Sequence, residues 1–432
     1  MKFLVEPGGL MTGSLRVPGD KSMSHRTIMF GALAEGTTKA TGFLEGQDAL
    51  RTVQAFKDMG VVIRGPKQGR IEIDGVGMHG LKAPGNVLDM GNSGTSIRLL
   101  SGLLAPQAFD SVMTGDASLQ RRPMGRVTTP LALMGAVVES EDGKPPLAIK
   151  GGQRLKGIHY EMPMASAQVK SCVLIAGMYA EGRTSISEPA ITRDHTERML
   201  RGFGYEVECE NDVIGLQGGG VLKATSLDIP ADISSAAFFL VAASIAEGSD
   251  LTLEHVGINP TRAGVITILA LMGADIEVLD EREVGGEPVA DLRVRSAPLT
   301  GIEIPADLVP LAIDEFPVLF IAAACASGKT VLSGAEELRV KESDRIAAMA
   351  EGLARLGIDN EVSEDGIAIT GGLITGGEVD TFDDHRIAMS FSIAALRASG
   401  PIHVNDCDHV ATSFPGFAAL ARVVGLNIKE VN

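Results

Sequence analysis

The chain has 432 residues, 45% of them hydrophobic, and 38 Lys and Arg against 55 Asp and Glu give a formal net charge of -17. This length favours two domains, and the acidic balance argues against a nucleic-acid partner. The longest apolar runs are too short to span a bilayer, the first residues do not resemble a signal peptide, and the four cysteines form no CxxC pair, so we expect a cytoplasmic protein with reduced thiols and no membrane partner.

Six polar clusters recur along the chain, and each opens a run rich in Ala, Leu, Ile, Val and Phe that predicts an apolar helix. A β-prone stretch follows each run, and then a second helix that ends at a glycine. The clusters begin at Lys21, Asn92, Ser166, Asp232, Asp314 and Asp384, and the glycines are Gly60, Gly135, Gly204, Gly273, Gly357 and Gly425. Because the glycines lie about 70 residues apart, the repeat is a βα block and too long for a short solenoid repeat.

The first block shows the predicted order of elements. Its apolar helix is followed by a strand candidate at residues 37–43 and a helix at 48–59, whose apolar residues recur every three residues. Two more strands are predicted at residues 61–64 and 70–74, the second from its alternation of polar and apolar side chains.

The count of blocks predicts the division into domains. Three blocks fit before residue 226 and three after it, with residues 226–230 as the candidate crossing. We expect residues 14–226 to form the first three-block domain. Residues 227–432 form the second, and residues 1–13, which precede the first block, are assigned to it.

The polar clusters have a physical meaning at the start of a helix. Ser, Asp and Asn side chains cap the first N–H groups of a helix, and those groups attract phosphate or carboxylate. For Asp232, which has no cation beside it, plain capping is the favoured interpretation. Where Lys or Arg accompanies the cap, anion binding is favoured.

The clearest motif for anion binding in the first half of the chain lies at residues 18–26. Ser22 and Arg26 are four residues apart and therefore share one helix face, and Lys21 stands beside the helix start. His25 has no metal-ligand partner at a usual spacing, so we interpret it as a structural histidine.

Later segments of the first half offer further groups for an anion. Gly94 lies in a glycine-punctuated turn that leads into a helix, and Arg122 lies on a turn. Ser166 and Gln168 supply neutral hydrogen-bonding groups. Arg193 belongs to a charged run that, taken alone, is more typical of a solvated face.

The second half contains a candidate acid–base pair, Asp314 and Glu342. Asp314 precedes an apolar helix, and Glu342 stands between the cations Lys341 and Arg345, which are four residues apart. An ordinary salt-bridged helix start explains this spacing equally well. Arg386 again places a cation at a predicted helix start.

Taken together, these motifs resemble the 5-enolpyruvylshikimate-3-phosphate (EPSP) synthase family over nearly the whole chain. Seven motifs occur in the family's order, at residues 19–26, 91–95, 122–124, 166–168, 193–198, 338–345 and 384–389. Each motif is modest alone, but seven in order are specific. The resemblance implies an α/β (α+β) enolpyruvyl transferase fold. Each of its two domains contains three βαβαββ units, an inside-out α/β barrel, and the active site lies in the cleft between the domains.

The resemblance also implies a reaction. In this family the 5-hydroxyl of shikimate 3-phosphate attacks C2 of phosphoenolpyruvate, and the tetrahedral intermediate then loses phosphate. The reaction belongs to the shikimate pathway, which leads to chorismate and the aromatic amino acids. The family implies no metal and no organic cofactor, a monomeric enzyme, and inhibition by glyphosate.

Residue roles follow from the same resemblance. The first domain is the shikimate 3-phosphate side, and the second carries the catalytic carboxylates. Glu342 is the implied proton donor to the methylene carbon of phosphoenolpyruvate, and Asp314, or alternatively Lys21, takes the hydroxyl proton. Shikimate 3-phosphate is expected to contact Ser22, Arg26, Ser166, Gln168 and Arg193; phosphoenolpyruvate is expected to contact Lys21, Gly94, Arg122, Arg345 and Arg386; Asp314 and Lys341 complete the substrate-binding set.

One segment departs from the family pattern. Many relatives carry a Lys just before Thr-Phe-Pro or Thr-Ser-Phe-Pro near the C-terminus, and residues 411–415, Ala-Thr-Ser-Phe-Pro, contain none. The departure bears on substrate affinity more than on the type of reaction.

Two other functions fit parts of the pattern. The sister enzyme that acts on UDP-N-acetylglucosamine shares the fold, but it usually carries a reactive Cys on a loop of the first domain, and residues 111–130 contain none. A non-catalytic protein that binds phosphorylated metabolites would need the caps and arginines, but it would leave Asp314 and Glu342 without a role.

Overall fold

The computed structural model describes residues 1–210 and 212–431, in which helices alternate with short strands. The α-helices of this part of the chain are α1 Lys21–Leu33, α2 Gln47–Asp58, α3 Gly94–Leu104, α4 Gly125–Leu133, α5 Ala167–Gly177, α6 His195–Gly202, α7 Ile233–Ile245, α8 Gly264–Leu271, α9 Phe316–Cys325, α10 Arg345–Arg355, α11 His385–Ala394 and α12 Phe417–Val423. Short 3-10 turns lie at Leu119–Arg121, Ala306–Leu308, Pro310–Ala312, Glu336–Val340, Ala395–Arg397 and Cys407–Thr412.

The odd-numbered helices are the predicted apolar helices, and most of them begin at a side-chain cap. The caps are Asp20, Ser93, Ser166, Asp232 and Asp384, each of which accepts a hydrogen bond from a backbone N–H of the first turn. Helix α9 differs, since it has Pro317 in its first turn and begins two residues after Asp314.

The even-numbered helices end as the glycine pattern predicts. Each is followed, after one capping residue, by one of the six repeated glycines, and all six have a positive φ, from 79° at Gly204 to 116° at Gly425. Glycine adopts this left-handed conformation without steric cost and so ends the helix. The repeat of two helices per block is therefore confirmed.

The strands are short, and most have two to six residues. They are β1 Lys2–Gly9, β2 Thr12–Leu15, β3 Ala34–Glu35, β4 Thr37–Thr41, β5 Val62–Lys67, β6 Arg70–Asp74, β7 Leu88–Asp89, β8 Ser111–Thr114, β9 Val138–Glu141, β10 Lys144–Ile149, β11 His159–Glu161, β12 Arg183–Ser187, β13 Glu208–Glu210, β14 Val213–Gln217, β15 Leu222–Lys223, β16 Ser226–Asp228, β17 Asp250–Gly257, β18 Asp275–Val284, β19 Glu287–Arg295, β20 Lys329–Leu332, β21 Asn360–Val362, β22 Ile367–Thr370, β23 Gly377–Val379, β24 Ile402–Val404 and β25 Leu426–Val431.

The chain forms two compact units, which we call the first unit, residues 19–229, and the second unit, residues 1–18 together with those from 230 onward. The first unit contains three sheets of four strands, with the orders β16-β4-β6-β5, β7-β8-β10-β9 and β11-β12-β14-β13. In each sheet the first listed pair is parallel and the other pairs are antiparallel. Strands β3 and β15 form a separate parallel pair.

The core of the first unit is built on α1, α3 and α5. All residues from Met23 to Leu33 in α1 are buried, and so are those from Val169 to Gly177 in α5. Helix α3 packs against both α1 and α5. Helices that are buried all round in this way belong inside a core, with the sheets outside them.

The second unit repeats this arrangement with two variations. Its sheets have the orders β18-β19-β17-β2, β20-β22-β21 and β23-β24-β1-β25. In the last sheet the N-terminal strand β1 lies between β24 and β25, so that Phe3 stands opposite both Val404 and Glu430. In the three-stranded sheet a single parallel bridge from Glu303 to Val331 stands where the other sheets have a fourth strand. Helices α7, α9 and α11 pack against one another in the core.

Within residues 1–210 and 212–431, no helix combines the length and the apolar character that a membrane crossing requires.

Candidate active site

Arg26 is fixed inside the first unit by three helices. Its side chain leaves α1 and is only 3% exposed. Its Nε donates to the Thr196 hydroxyl on α6 at 2.7 Å, and its Nη2 donates to the Ser171 hydroxyl on α5 at 2.7 Å. Its Nη1 donates to the backbone carbonyl of Ser22 at 2.9 Å. The guanidinium is therefore oriented beside the start of α1, where Ser22 is partly exposed.

Lys21, the first residue of α1, forms an ion pair with Asp48 in the first turn of α2. Asp48 is almost buried, while the Lys21 side chain stays partly exposed. The ammonium is thus held at the helix start with access to solvent. We did not predict Asp48 as part of the site, although its place in the first turn of a predicted helix was a signal for a charged role.

Gly94 lies against two guanidinium groups. A Cβ atom at this position would stand 2.9 Å from Nη1 of Arg122 and 2.9 Å from Nη1 of Arg98. Arg98 donates to Oε1 of Gln168 at 2.6 Å, and Arg122 donates through Nη2 to Oδ1 of Asn92 at 2.8 Å. The start of α3 therefore brings Gly94, Arg122 and Gln168 together, and Arg98 joins them.

Ser166 and Arg193 stand at two further helix starts. The hydroxyl of Ser166 caps α5 by accepting a hydrogen bond from Val169 N at 3.4 Å. Arg193 lies two residues before α6 and is partly buried. The charged run around it is not simply a solvated face, because His195, Thr196 and Glu197 are all buried.

His25 is completely buried in the core of the first unit. Its Nδ1 lies 2.8 Å from the Thr52 hydroxyl and 3.3 Å from the Ser96 hydroxyl. Complete burial lowers the pKa of His25 well below its usual value, and the charges of Lys21 and Arg26 lower it further. His25 is thus a neutral structural histidine, as its sequence context predicts.

In the second unit, one arginine contacts both candidate acid–base residues. The side chain of Arg345 is 1% exposed, and its Nη2 donates to Oε2 of Glu342 at 2.6 Å. Its Nη1 lies 3.4 Å from Oδ1 of Asp314, and the Lys341 ammonium lies 3.4 Å from the same oxygen. One cluster therefore contains Asp314, Lys341, Glu342 and Arg345, although up to 31 positions separate them in the sequence.

Asp384 is the fixed partner of Arg345. Its side chain is fully buried and accepts from Arg345 Nε at 2.8 Å and from the Ser343 hydroxyl at 3.0 Å. Burial alone would raise the pKa of Asp384, but the charges of Arg345 and His385 outweigh it, and the pKa is lowered overall. For Arg345, burial lowers the pKa, yet Asp384, Glu342 and Asp314 raise it overall. Both groups are therefore charged, and Asp384 orients Arg345.

Arg386, at the start of α11, is held by residues that flank α9. Its Nη1 donates to the backbone carbonyl of Asp314 at 2.8 Å and lies 3.7 Å from Oε1 of Glu315. Glu315 is buried and also accepts a hydrogen bond from Ser234 at the start of α7. Its carboxylate thus links the starts of α7 and α11 at the edge of the cluster.

The segment at residues 411–415 begins inside the 3-10 turn Cys407–Thr412, and Thr412, the last residue of that turn, is buried. Its hydroxyl donates to the backbone carbonyl of His409 at 2.6 Å. Neither residue 411 nor residue 412 carries a cationic side chain.

The site residues of the first unit and those of the second unit differ in the chemistry they can support. The first unit presents oriented guanidinium and ammonium groups at helix starts, which suits anionic ligands. The second presents carboxylates in contact with cations, which suits proton transfer. Among the residues that the structure describes, no three His, Cys, Asp or Glu side chains are grouped closely enough to hold a metal ion.

Comparison with known proteins assigns the family. The family model for EPSP synthase (3-phosphoshikimate 1-carboxyvinyltransferase) matches residues 5–420. Relatives named 3-phosphoshikimate 1-carboxyvinyltransferase from Methylococcus capsulatus and Alkalilimnicola ehrlichii are each 65% identical over 428 residues, which is 99% of this chain and 98% and 96% of theirs. A solved structure of EPSP synthase from Acinetobacter baumannii is 61% identical, with a TM-score of 0.90 over 99% of both chains. The chain therefore belongs to the EPSP synthase family and has its two-domain enolpyruvyl transferase fold.

Proposed function

We propose that this chain transfers the enolpyruvyl group of phosphoenolpyruvate to the 5-hydroxyl of shikimate 3-phosphate and releases phosphate, in the shikimate pathway. The observation that carries the proposal is the contact of Arg345 with both Glu342 and Asp314, since a single buried cation places two carboxylates side by side. A protein that only binds phosphorylated metabolites has no use for such a pair.

Charge supports the choice of substrates. Two phosphates and two carboxylates carry about five to six negative charges near neutral pH. The cations that match the family motifs are of similar number: Lys21, Arg26, Arg98, Arg122, Arg193, Lys341, Arg345 and Arg386. Guanidinium groups bind phosphate and carboxylate in a directional way, so most of the rate enhancement is expected from positioning and charge stabilisation.

The proposed binding roles follow the helix starts. Shikimate 3-phosphate is held by Ser22, Arg26, Ser166, Gln168 and Arg193, and Asp314 and Lys341 complete the proposed substrate-binding set. Phosphoenolpyruvate is held by Lys21, Gly94, Arg122, Arg345 and Arg386. The reaction therefore needs groups from both units.

The proposed chemistry has two steps that use the same two carboxyl groups. In the addition step, the 5-hydroxyl oxygen bonds to C2 of phosphoenolpyruvate while Asp314, or Lys21, takes the hydroxyl proton. Glu342 gives a proton to C3, which becomes a methyl group. In the elimination step, the bond between C2 and the phosphate oxygen breaks, a proton returns from the methyl group to Glu342, and the proton held by Asp314, or Lys21, leaves with the phosphate. Arg345 keeps the Glu342 carboxylate oriented throughout.

A phosphate-release assay tests the proposal. The purified chain is supplied with phosphoenolpyruvate and, separately, with shikimate 3-phosphate, with UDP-N-acetylglucosamine, or with no acceptor. We expect phosphate release only with shikimate 3-phosphate. Release with the UDP-sugar would assign the sister reaction, and no release with either acceptor would leave a binding protein. The proposal also includes a cytoplasmic, monomeric enzyme, which light scattering after size exclusion tests for the monomer.

A further inference from the structure

Lys170 is a buried cation to which the proposed reaction assigns no role. It lies on α5, one turn after Ser166, and is 1% exposed. An ammonium group loses much of its hydration when it is buried, so it needs close partners. Its Nζ lies 2.9 Å from Oε1 of Glu197, 3.2 Å from Oε1 of Glu188, and 3.1 Å from the backbone carbonyl of Thr192.

These partners fix the peptide group that precedes Arg193. Glu188 accepts from Thr192 N at 3.1 Å and from the Thr192 hydroxyl at 2.6 Å. Lys170 holds the Thr192 carbonyl, which belongs to the same planar peptide group as the backbone N of Arg193. Thr192, on the N-terminal side of Arg193, is thus held at two backbone atoms and at its hydroxyl, all through Lys170 and its partner Glu188.

The same cation also supports the contact that orients Arg26. Lys170 on α5 pairs with Glu197 on α6. The residues adjacent to them in the chain, Ser171 on α5 and Thr196 on α6, are in contact as well, with 2.7 Å between their hydroxyl oxygens. Both hydroxyls accept hydrogen bonds from Arg26. The Lys170–Glu197 pair therefore lies directly beside the two groups that hold the Arg26 guanidinium.

We propose that Lys170 is a positioning residue for the shikimate 3-phosphate site. It holds the peptide group that precedes Arg193, and it supports the contact between α5 and α6 that orients Arg26. It does not touch the substrate. A buried ion pair contributes little net stability compared with apolar side chains of similar size, so a positional role explains the retention of three charges in this core. The inference rests on the proposed function of Arg193 and Arg26.

Steady-state kinetics and direct binding of shikimate 3-phosphate test the inference in four variants. Lys170→Met removes the charge at similar length, Lys170→Arg keeps it, Thr192→Val removes one hydroxyl at the same volume, and Arg193→Gln removes the substrate contact itself. We expect Lys170→Met to raise both KM and Kd for shikimate 3-phosphate on the order of tenfold. The KM for phosphoenolpyruvate should change by less than about twofold, and Lys170→Arg should recover most of the loss.

A double variant separates positioning from general damage. If Lys170 acts through Arg193, Lys170→Met should weaken binding much less in the Arg193→Gln background than in the wild type, because the group that it positions is already gone. Equal effects in both backgrounds would overturn the inference. Equal losses for the two substrates would also overturn it, since they indicate a purely structural role.

Thr192→Val decides the case if Lys170→Met does not fold. This variant leaves every ion pair in place, and it should raise the KM for shikimate 3-phosphate by roughly two- to fivefold through loss of one bond to Glu188. If Thr192→Val binds shikimate 3-phosphate normally and Arg193→Gln binds it weakly, the inference about Lys170 is overturned while the proposed role of Arg193 stands. Normal affinity in Arg193→Gln overturns the proposed role of Arg193 and the inference with it.

Discussion

Three arginines of the first unit and Arg345 of the second unit have different kinds of hydrogen-bond partner. In the first unit, Arg26, Arg98 and Arg122 donate to hydroxyl and amide oxygens. In the second, Arg345 contacts the carboxylates of Asp384, Glu342 and Asp314. A neutral partner orients a guanidinium without offsetting its charge.

The carboxylates of the second unit serve another purpose. Contacts with cations keep them close together, and one of them can then exchange a proton with a substrate carbon while another takes a hydroxyl proton. From this difference we propose that the first unit is chiefly an anion receptor and that the second handles protons. Each of the following predictions concerns a substitution in one of the two units.

The largest effect is expected from Arg345→Met, which leaves three carboxylates of the second unit without their shared cation. Removing one partner of a buried ion pair typically destabilises a protein by about 3–5 kcal/mol, and activity should be lost as well. The measurement is the free energy of unfolding in urea.

The matched control is Arg339→Met, which breaks the 2.7 Å pair between Arg339 and Asp344 at a more exposed position close by in the sequence. Exposed pairs contribute about 0–1 kcal/mol. A similar loss of stability in both variants would mean that the Arg345 cluster contributes no more to the free energy of unfolding than an exposed ion pair does.

Glu342→Gln should reduce turnover by a factor on the order of 10² or more. Gln keeps the size and an oxygen acceptor for Arg345, but it cannot donate and recover a proton. The Kd for shikimate 3-phosphate should barely change, because its principal ligands lie in the first unit. Glu337→Gln, a more exposed carboxyl that contacts Lys341 at 3.7 Å, is the control and should keep near-normal turnover. Near-normal turnover in Glu342→Gln itself would falsify the assignment.

Gly94→Ala should weaken glyphosate more than phosphoenolpyruvate. The new methyl group would stand 2.9 Å from both guanidinium groups, so Arg98 and Arg122 must shift. We expect a longer inhibitor to have less room to adjust than the substrate. The measurements are the inhibition constant against phosphoenolpyruvate and the KM for phosphoenolpyruvate.

The control for this change is Gly125→Ala, where an added Cβ would meet no atom within 4 Å. It should alter neither constant. If Gly94→Ala leaves the ratio of inhibitor to substrate affinity unchanged, the steric account of Gly94 is wrong.

The smallest effect concerns His25 and pH. Because its pKa in the folded state lies well below the usual 6.5, the unfolded chain binds more protons than the folded chain between these two values. Stability is therefore complete above pH 6.5 and falls as the pH drops towards the folded-state pKa, by at most about 1.4 kcal/mol per pH unit from this group. Unfolding in urea between pH 5 and 7.5 should show a shallower slope for His25→Gln than for the wild type. The exposed variant His403→Gln should keep the wild-type slope.

The sequence predicts those parts of the fold that depend on local chemistry. Helix starts follow from capping by residues such as Asp20 and Asp232, and helix ends follow from glycines such as Gly60, because neither signal needs a distant partner. The two-helix repeat and the fold family follow from these signals and from the order of the motifs.

Contacts between distant segments could not be predicted in the same way. Asp384 lies 39 residues from Arg345 and was noted only as part of a helix start, and Asp48 lies 27 residues from Lys21. Glu315 and Ser234 are 81 residues apart. Their pairing depends on how the helices pack, and residue spacing carries no information about that. Glu342 could be chosen as a candidate because charged neighbours surround it in the chain itself, and Asp314 because it precedes an apolar helix.

The most direct test of proton handling by the second unit follows solvent deuterium into C3 of phosphoenolpyruvate. Turnover is run in D₂O with shikimate 3-phosphate, and the methylene group of the product is examined by mass spectrometry for the wild type and for Glu342→Gln. The account predicts deuterium in the wild-type product, and little or none after the same time with Glu342→Gln despite unchanged Kd for shikimate 3-phosphate. Incorporation at the wild-type rate in Glu342→Gln would contradict it.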